Sequence, residues 1–167
     1  AVESARLASQ LGADGIIIQD LGLAYAIRQA LPDIPLHAST QMSIHNLAGV
    51  EAAAEMGMTR AVLARELSLE QIKFITQHAS IETEVFVHGA LCFCQSGQCY
   101  MSALIGRRSG NRGMCAQPCR MQYSLGGRMD DYPMSLKDNC LVDRLRELED
   151  AGVACLKIEG RMKRPEY

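Results

Sequence analysis

Apolar runs of strand length recur along the chain, and each follows an amphipathic stretch that ends at a glycine. Three segments share this pattern, at residues 11–20, 56–66 and 151–160. Glycine adopts the left-handed conformation that closes a helix, and the apolar run that follows fits a strand buried on both faces. Each segment therefore predicts the end of a helix followed by a buried strand.

Two further strands and four helices complete the predicted alternation. The strands run over 34–39 and 82–88, and the helices over 21–31, 43–55, 68–78 and 142–150. Ser68 and Gln71 form a capping-box pattern at the start of one helix. Strands that alternate with helices predict an α/β fold with a parallel sheet, either open or closed into a barrel.

The choice between an open sheet and a barrel depends on motifs and on length. No G-x-G-x-x-G follows a strand and no Walker loop is present, so a nucleotide-binding open sheet lacks its usual signature. A full barrel takes about 250 residues, whereas this chain has 167. We therefore expect a fragment of a TIM-type (β/α)8 barrel, with about five parallel strands in one partial domain over residues 1–167.

Polar side chains follow the predicted strands, and in an α/β barrel the C-terminal ends of the strands surround the active site. The candidates for this barrel mouth, without individual roles, are His37, Gln41, Arg65, Glu66, His88, Lys157 and Glu159, with Arg161 after the last strand. Polar residues also appear wherever a chain simply leaves its core. For His88, a histidine satisfied within the core is an equal alternative.

Composition excludes several classes of protein. Apolar residues make up 48% and charged residues 22% of the chain, which is typical of a globular protein and excludes a long disordered tail or a membrane span. The net charge of −2 gives no global attraction to nucleic acid, so such binding requires a local basic patch. No secretion signal is evident, and we expect a cytoplasmic protein.

Residues 89–131 break the helix and strand pattern and are rich in Cys, Gly, Ser and Arg, which predicts a Cys-rich insertion after one strand. The cysteines of the chain are Cys92, Cys94, Cys99, Cys115, Cys119, Cys140 and Cys155. An odd number of cysteines in a chain without a secretion signal argues against a disulfide scaffold. Thiolates gathered by turns are typical ligands of soft metals and iron-sulfur clusters.

The cysteine spacing leaves the metal open, because it matches neither a zinc ribbon nor a ferredoxin run. Three alternatives remain: buried free thiols, a structural zinc knuckle, and a hydrolase that uses one thiolate with His88. Cys155 lies inside an apolar strand, where packing in the core explains it.

Several blocks of sequence closely resemble the signature of the collagenase-like peptidase family, the unassigned-type peptidase family 32. They are EVFVHGALC at 84–92, SGQCYMS at 96–102, RSGNRGMCAQPCR at 108–120, SLKD at 135–138 and KIEGR at 157–161, with QD at 19–20 and HASTQ at 37–41 upstream. The blocks cover essentially the whole chain. The resemblance implies an α/β barrel whose first three strands and C-terminal end are missing here.

Members of this family include oxygen-independent hydroxylases of transfer-RNA wobble uridine and of a ribosomal-RNA cytidine, and a pair of enzymes in ubiquinone synthesis. The resemblance implies a [4Fe-4S] cluster, held here by Cys92, Cys99, Cys115 and Cys140. Cys119 is the closest rival ligand, and Cys94 and Cys155 are extra. For the RNA-modifying members, the resemblance also implies prephenate as a small-molecule co-substrate.

The function that we expect from this resemblance is hydroxylation of a pyrimidine in RNA, either tRNA or rRNA. The candidates for holding RNA phosphates are Arg107, Arg108, Arg112, Arg120, Lys163 and Arg164. The alternative is that these cations only solvate a loop. The rival function is the peptidase of the family name, although no H-E-x-x-H, G-x-S-x-G or papain-like motif is present.

Overall fold

The structure is a computed structural model that describes residues 1–160 and 163–167. Arg161, a candidate for the barrel mouth, lies outside the described residues. The α-helices are α1 (Val2–Gln10), α2 (Leu21–Ala30), α3 (Leu47–Glu55), α4 (Leu69–His78), α5 (Met101–Gly106) and α6 (Leu145–Asp150). The strands are β1 (Ile16–Ile18), β2 (Leu36–Ala38), β3 (Arg60–Val62), β4 (Glu82–Gly89), β5 (Tyr123–Leu125), β6 (Arg128–Asp131), β7 (Asn139–Cys140) and β8 (Cys155–Ile158).

Five strands form a parallel sheet, as the sequence predicts. The order is β1-β2-β3-β4, and β8 pairs with β4 in the same direction. β7 adds an antiparallel pairing at the end of β4, and β5 and β6 form a separate hairpin. The α/β fold and its parallel sheet are confirmed, while closure of the sheet into a barrel stays a prediction.

The helices pack against one face of the sheet. Successive side chains of a strand point to opposite faces, so only alternate residues of each strand contact the helices. Leu36 and Ala38 of β2 and Val85 and Val87 of β4 belong to one buried apolar cluster. The helices contribute Ala24, Ile27, Val50, Ala53, Ile72, Ile75 and Leu148 to the same cluster. The core therefore lies between the sheet and its helices.

The first turn of α4 agrees with the prediction, whereas the start of α3 does not. The Gln71 N–H donates to the Ser68 hydroxyl at 3.3 Å, and the Ser68 N–H donates to Gln71 Oε1 at 2.8 Å, which makes a capping box. The prediction that a helix begins at residue 43 is wrong, because Ser43 is left-handed with φ 57°. The Asn46 side chain instead accepts from the Gly49 N–H at 2.8 Å, so α3 begins at Leu47.

The predicted Cys-rich insertion, residues 89–131, contains more regular structure than its sequence indicates. It includes the short helix α5 and the hairpin of β5 and β6. No helix in the described part of the chain is both long and apolar enough to cross a membrane.

Replacement of Leu36 by alanine tests the core. Leu36 is 0% exposed in the middle of the sheet, so Leu36→Ala should lower the free energy of unfolding by about 2–5 kcal/mol. The matched control is Leu11→Ala, because Leu11 is 79% exposed and its loss should cost less than about 0.5 kcal/mol. Urea unfolding measures both, and equal losses would contradict this assignment of the core.

Candidate functional site

The loops that follow β2, β3 and β4 meet at the C-terminal end of the sheet, and Ser96 joins them. The Glu66 carboxylate accepts from the Ser96 N–H at 2.9 Å and from the Ser96 hydroxyl at 2.8 Å. The Arg65 N–H donates to the Ser96 hydroxyl at 3.2 Å, and the Ser43 hydroxyl donates to the Ser96 carbonyl. Ser96 is buried, so these bonds fix the position of the Cys-rich insertion.

The Glu66 carboxylate is the charged partner in this contact. Burial raises the pKa of Glu66, but the hydrogen bonds from the Ser96 N–H and hydroxyl outweigh burial, so the pKa lies below its usual value. A carboxylate that accepts two hydrogen bonds is a stronger anchor than a neutral pair. Glu66, a candidate for the barrel mouth, therefore holds the Cys-rich insertion in place.

Gly97 allows the backbone of the insertion to lie directly against the backbone of Gln41. Its φ is 78°, and a Cβ atom at this position would lie 2.7 Å from the carbonyl carbon of Gln41. Gln98 extends the contact, because its amide donates to the Ser43 hydroxyl at 3.1 Å. Gln41 thus reaches the predicted mouth and contacts the insertion through its main chain.

Arg65 lies at the centre of the candidate site and is 11% exposed. Its Nη1 lies 3.0 Å from the Cys92 sulfur, and its Nη2 pairs with the Glu159 carboxylate. The guanidinium carbon lies 4.1 Å from the centre of the Phe86 ring, which is a cation-π contact. The structure therefore brings together three residues that the sequence placed at the site: Arg65, Glu159 and Cys92.

The segments that carry the four predicted ligands converge near the end of β4. Cys92 follows β4, and Cys140 in β7 pairs with His88 of β4. Cys115 lies close enough to raise the pKa of Cys92 through its charge. The Ala116 N–H donates to the Ser102 hydroxyl at 2.9 Å, and Ser102 lies in α5, directly after the segment that carries Cys99.

Arg120 ties two of these segments together. It donates to the carbonyl of Leu91 at 3.1 Å, next to Cys92. It also bonds to the Leu136 carbonyl and pairs with Asp138 at 3.0 Å, close to Cys140. The predicted contact of Arg120 with phosphate stays a prediction, and it competes with these internal bonds.

The cysteine thiols are free, and they lie open or partly open to solvent. Part of Cys92 is exposed, but neighbouring atoms crowd its sulfur, and this burial raises the pKa of the thiol against the lowering effect of Arg65. Among the side chains that the structure describes, no three Cys, His, Asp or Glu residues lie close enough together to hold a metal ion. The set of four ligands therefore stays a prediction.

His37 and Lys157 do not lie at strand ends, although the sequence placed them at the mouth. His37 is the middle residue of β2, and Lys157 lies within β8. Lys157 donates to the buried Glu84 carboxylate at 2.6 Å, and Arg60 approaches the same carboxylate at 3.5 Å. These side chains belong to the sheet face opposite the helices, because their neighbours Leu36, Ala38 and Val85 pack against the helices.

Charge and burial together set the pKa values on this polar face. Burial lowers the pKa of His37, and the positive charge of Arg60 lowers it further. Burial raises the pKa of Glu84, but the bond and charge of Lys157 outweigh it, so the pKa of Glu84 is lowered. Glu84 was not among the residues predicted from sequence, because it lies inside an apolar strand.

His88 is partly buried, and its carbonyl accepts from the N–H of Glu159, the partner of Arg65, at 2.9 Å. Its Nε2 atom is buried without a hydrogen-bond partner in the described part of the chain. Its ring centre lies 5.0 Å from that of Tyr167.

The remaining predicted RNA contacts lie on the surface. Arg107, Arg108 and Arg112 are exposed, and none of them pairs with a carboxylate whose position the structure describes. Lys163 lies 4.9 Å above the Tyr167 ring, and Arg164 is exposed. Arg108 Nε donates to the Met114 carbonyl at 3.0 Å, and the exposed positions of the three arginines leave their positive charges accessible to an anion.

Replacement of Gly97 tests the close approach to Gln41. Gly97→Ala should lower the free energy of unfolding by more than about 1 kcal/mol, because alanine is strained at positive φ and its Cβ meets the Gln41 backbone. Gly106→Ala is the control, since no atom lies within 4 Å of its Cβ position. It should change stability by less than about 1 kcal/mol. Urea unfolding that ranks the two variants equally would contradict the contact.

Replacement of Ser96 tests the anchoring carboxylate. Ser96→Ala removes the hydroxyl bond and should raise the pKa of Glu66, which an NMR titration measures. A carboxyl group whose pKa is lower in the folded than in the unfolded state adds stability at pH values above its unfolded-state pKa. This stability is lost as the pH falls through the folded-state pKa. The loss of stability in Ser96→Ala should therefore be largest near neutral pH and shrink in acid. Ser80→Ala, which removes the bond to Glu51, should leave the Glu66 titration unchanged.

Several known proteins are similar to this chain in sequence. A 23S rRNA 5-hydroxycytidine C2501 synthase of Escherichia coli (strain K12) is 44% identical, over 95% of this chain and 25% of that protein. A tRNA hydroxylation protein P1 of Bacillus subtilis (strain 168) is 37% identical, over 92% of this chain and 39% of that protein. A collagenase of Porphyromonas gingivalis (strain ATCC BAA-308 / W83) is 36% identical, over 80% of this chain and 37% of that protein.

The chain spans between about a quarter and about two fifths of the length of these relatives. The solved structure of the U32 peptidase Mk0906 superposes with a TM-score of 0.56 at 17% identity, over 94% of this chain and 59% of that one, which supports the fold. The family model described as Peptidase family U32 matches residues 1–167. This match over the whole chain confirms the family predicted from the motifs, and the chain belongs to peptidase family U32.

Proposed function

We propose that the chain is part of an enzyme that hydroxylates a pyrimidine in RNA, either a tRNA wobble uridine or an rRNA cytidine. The proposed chemistry depends on a [4Fe-4S] cluster and does not use oxygen. Relatives named as an rRNA hydroxycytidine synthase and as a tRNA hydroxylation protein support the RNA substrate. Because the chain spans less than half of these relatives, the activity is assigned to the whole protein.

The observation that carries the proposal is the convergence of the cysteine-bearing segments at the C-terminal end of the parallel sheet. Active sites of α/β barrels lie at this end of the strands. The Ser96–Glu66 contact and the Arg120 bonds hold the segments there, on both sides of Cys92. An ordered loop of this length at the end of a sheet is usually functional.

Thiols are the ligands that an iron-sulfur cluster requires, although no three of the described Cys, His, Asp or Glu side chains lie close enough together to hold a metal ion. Cys92, Cys99, Cys115 and Cys140 would hold it, since they are free thiols and none is completely buried. When bound, the cluster supplies one-electron chemistry that no amino-acid side chain in the site provides. The chain itself positions Cys92 through the contact of Arg65 Nη1 with its sulfur at 3.0 Å. A small co-substrate, prephenate in our proposal, would supply the hydroxyl group.

Arg107, Arg108 and Arg112 would bind the RNA backbone. They are exposed on the same insertion that carries three of the proposed ligands. Phosphate contacts from arginine supply most of the affinity for nucleic acid and position the base without reading it.

The second candidate is a peptidase, which the collagenase relative and the family name favour. A cysteine or serine peptidase needs a nucleophile within hydrogen-bond reach of a histidine. In the described residues, the hydrogen bonds of the His45 and His78 rings go to main-chain carbonyls, and His88 Nε2 has no partner. The described residues therefore supply no histidine-nucleophile pair for this second candidate.

Removal of single cysteines tests the ligand set. In the full-length protein, purified without oxygen, Cys92→Ser, Cys99→Ser, Cys115→Ser or Cys140→Ser should remove most of the iron, the sulfide and the absorbance near about 400 nm. Cys155→Ala is the control and should keep all three, because Cys155 lies in β8 opposite Glu84. Loss of iron from Cys119→Ser but not from Cys115→Ser would show that the assignment is wrong.

Deletion of the gene separates the two functions. Mass spectrometry of RNA digests should lose one hydroxylated pyrimidine, which the intact gene restores and the Cys92→Ser gene does not. Unchanged nucleosides, together with cleavage of peptides by the purified protein, would favour the peptidase.

A further inference from the structure

We infer that the outer face of α5 binds an unpaired segment of RNA, with the ring of Tyr100 stacked on a base. The inference rests on the proposed function, because it takes RNA as the substrate, and it adds how the protein selects single strands over duplexes. Exposed side chains of α5 and the charges beside them carry the inference, so it does not depend on a bound metal or cluster.

The outer face of α5 lies opposite a buried serine. Ser102 is buried, and its hydroxyl accepts from the Ala116 N–H at 2.9 Å, so this side of α5 packs against the insertion. At about 100° per residue, the positions two before and two after Ser102 lie on the other side of the helix. They are Tyr100 and Leu104, which are 62% and 83% exposed.

Tyr100 and Leu104 form one continuous surface. The Leu104 N–H donates to the Tyr100 carbonyl at 3.0 Å, which places the two residues one helical turn apart, where side chains are neighbours. Ile105 is exposed as well. Three large exposed side chains within one short helix indicate a surface that binds a partner.

The Tyr100 ring contacts no other ring and no cation among the residues that the structure describes. Such a ring is available to a planar ligand. Every nucleic-acid base has a flat π face, so stacking on an aromatic side chain tolerates any base. The bases must be unpaired and splayed out of their own stack, which restricts this mode of binding to single strands, loops and bulges.

The charges beside the outer face favour RNA as the partner. Arg107 and Arg108 directly follow α5, and neither pairs with a carboxylate in the described part of the chain. Their N–H groups donate to the carbonyls of Ala103 and Ser102 at 2.9 and 3.2 Å, so both main chains are fixed against the helix. An aromatic ring beside cations is the combination with which proteins bind single-stranded nucleic acid.

A membrane surface would also attract these cations, but α5 is short for that partner. It contains six residues, Met101–Gly106, whereas many helices that lie on a membrane have about 20–30 residues. The outer face of α5 therefore matches the size of one or two bases.

The test is the affinity of the full-length protein for a fluorescein-labelled uridine oligonucleotide, measured by fluorescence anisotropy. Tyr100→Ala should weaken binding about tenfold, because it removes the stacking surface. Tyr100→Phe should stay within about twofold of the wild type, since it keeps the ring and loses only the hydroxyl. The matched control is Tyr25→Ala, because Tyr25 is 70% exposed on α2, outside the insertion, and its loss should leave the affinity unchanged.

Two further measurements separate stacking from charge. When an adenosine oligonucleotide is annealed to the probe, Tyr100→Ala should bind the duplex as well as the wild type does, because paired bases offer no free face. The dependence of log Kd on log salt should have the same slope in Tyr100→Ala as in the wild type. Arg107→Ala should reduce that slope by about 0.7, since it removes one contact with phosphate.

Each outcome bears on the inference. Equal affinities of the wild type and Tyr100→Ala for the single strand overturn the role of Tyr100 and leave the proposed function standing. A loss in Tyr100→Phe as large as that in Tyr100→Ala overturns stacking, because phenylalanine keeps the ring. A wild type that does not bind the single strand also overturns the inference, and the nucleosides of the RNA digests then decide the proposed function separately.

Two further controls complete the test. Sedimentation with phosphatidylserine vesicles that is lost in Tyr100→Ala, while RNA affinity stays unchanged, would show a membrane surface and overturn the inference. If circular dichroism shows that Tyr100→Ala does not fold, Tyr100→Leu is measured in its place, because leucine keeps apolar volume without a ring. Weaker binding of the single strand by Tyr100→Leu supports the inference, and affinity equal to that of the wild type overturns it.

Discussion

The contact between the Glu66 carboxylate and Ser96 is the interaction on which the candidate site depends. It joins the loop after β3 to the Cys-rich insertion, and both polar groups of Ser96 donate to one carboxylate. Ser96 is the buried residue of the pair, whereas Glu66 is exposed, so the carboxylate satisfies the polar groups of a buried serine. Together with the packing of Gly97 against the Gln41 backbone, the contact fixes the position of this part of the insertion.

The two faces of the sheet differ in polarity. One face is apolar and packs against the helices, and the other carries Arg60, Glu84 and Lys157 in a row of alternating charge. Because Glu84 is 5% exposed on its side chain, removal of Lys157 or Arg60 would leave a buried charge partly uncompensated. The polar face leads directly to Arg65, which shares the Phe86 ring with Lys157.

The sequence predicts the parts of this fold that local patterns determine. The apolar runs located all five parallel strands, and the Ser68 pattern located the start of α4, because both signals lie within a few neighbouring residues. The hairpin of β5 and β6 and the pairing of β7 with β4 lack such a signal, since they are short and partly polar. The start of α3 was missed because the Asn46 cap looks like any polar residue.

The candidate site was predicted as a set of residues but not as a geometry. Polar residues after predicted strands indicated Arg65, Glu66 and Glu159, and a family motif indicated Cys92. The structure brings these four into one region. Ser96 belongs to the family block at 96–102, but the sequence assigns it no role. No periodicity shows which loop a buried hydroxyl will contact. His37 and Lys157 were placed at strand ends because polar residues follow strands, whereas pairing across the sheet keeps both inside it.

Charge along the chain separates an exposed group of arginines from the interior network of ion pairs. Residues 85–129 contain no Asp or Glu, so the arginines of this stretch find carboxylates only in other segments. Arg120 finds one in Asp138 and becomes part of the frame around Cys92. Arg107, Arg108 and Arg112 are exposed without such a partner in the described part of the chain, which leaves their charge for an external anion. If the proposed function is correct, that anion is the RNA backbone. The net charge of −2 for the whole chain does not oppose RNA binding at these arginines, because the acidic residues lie in other parts of the sequence.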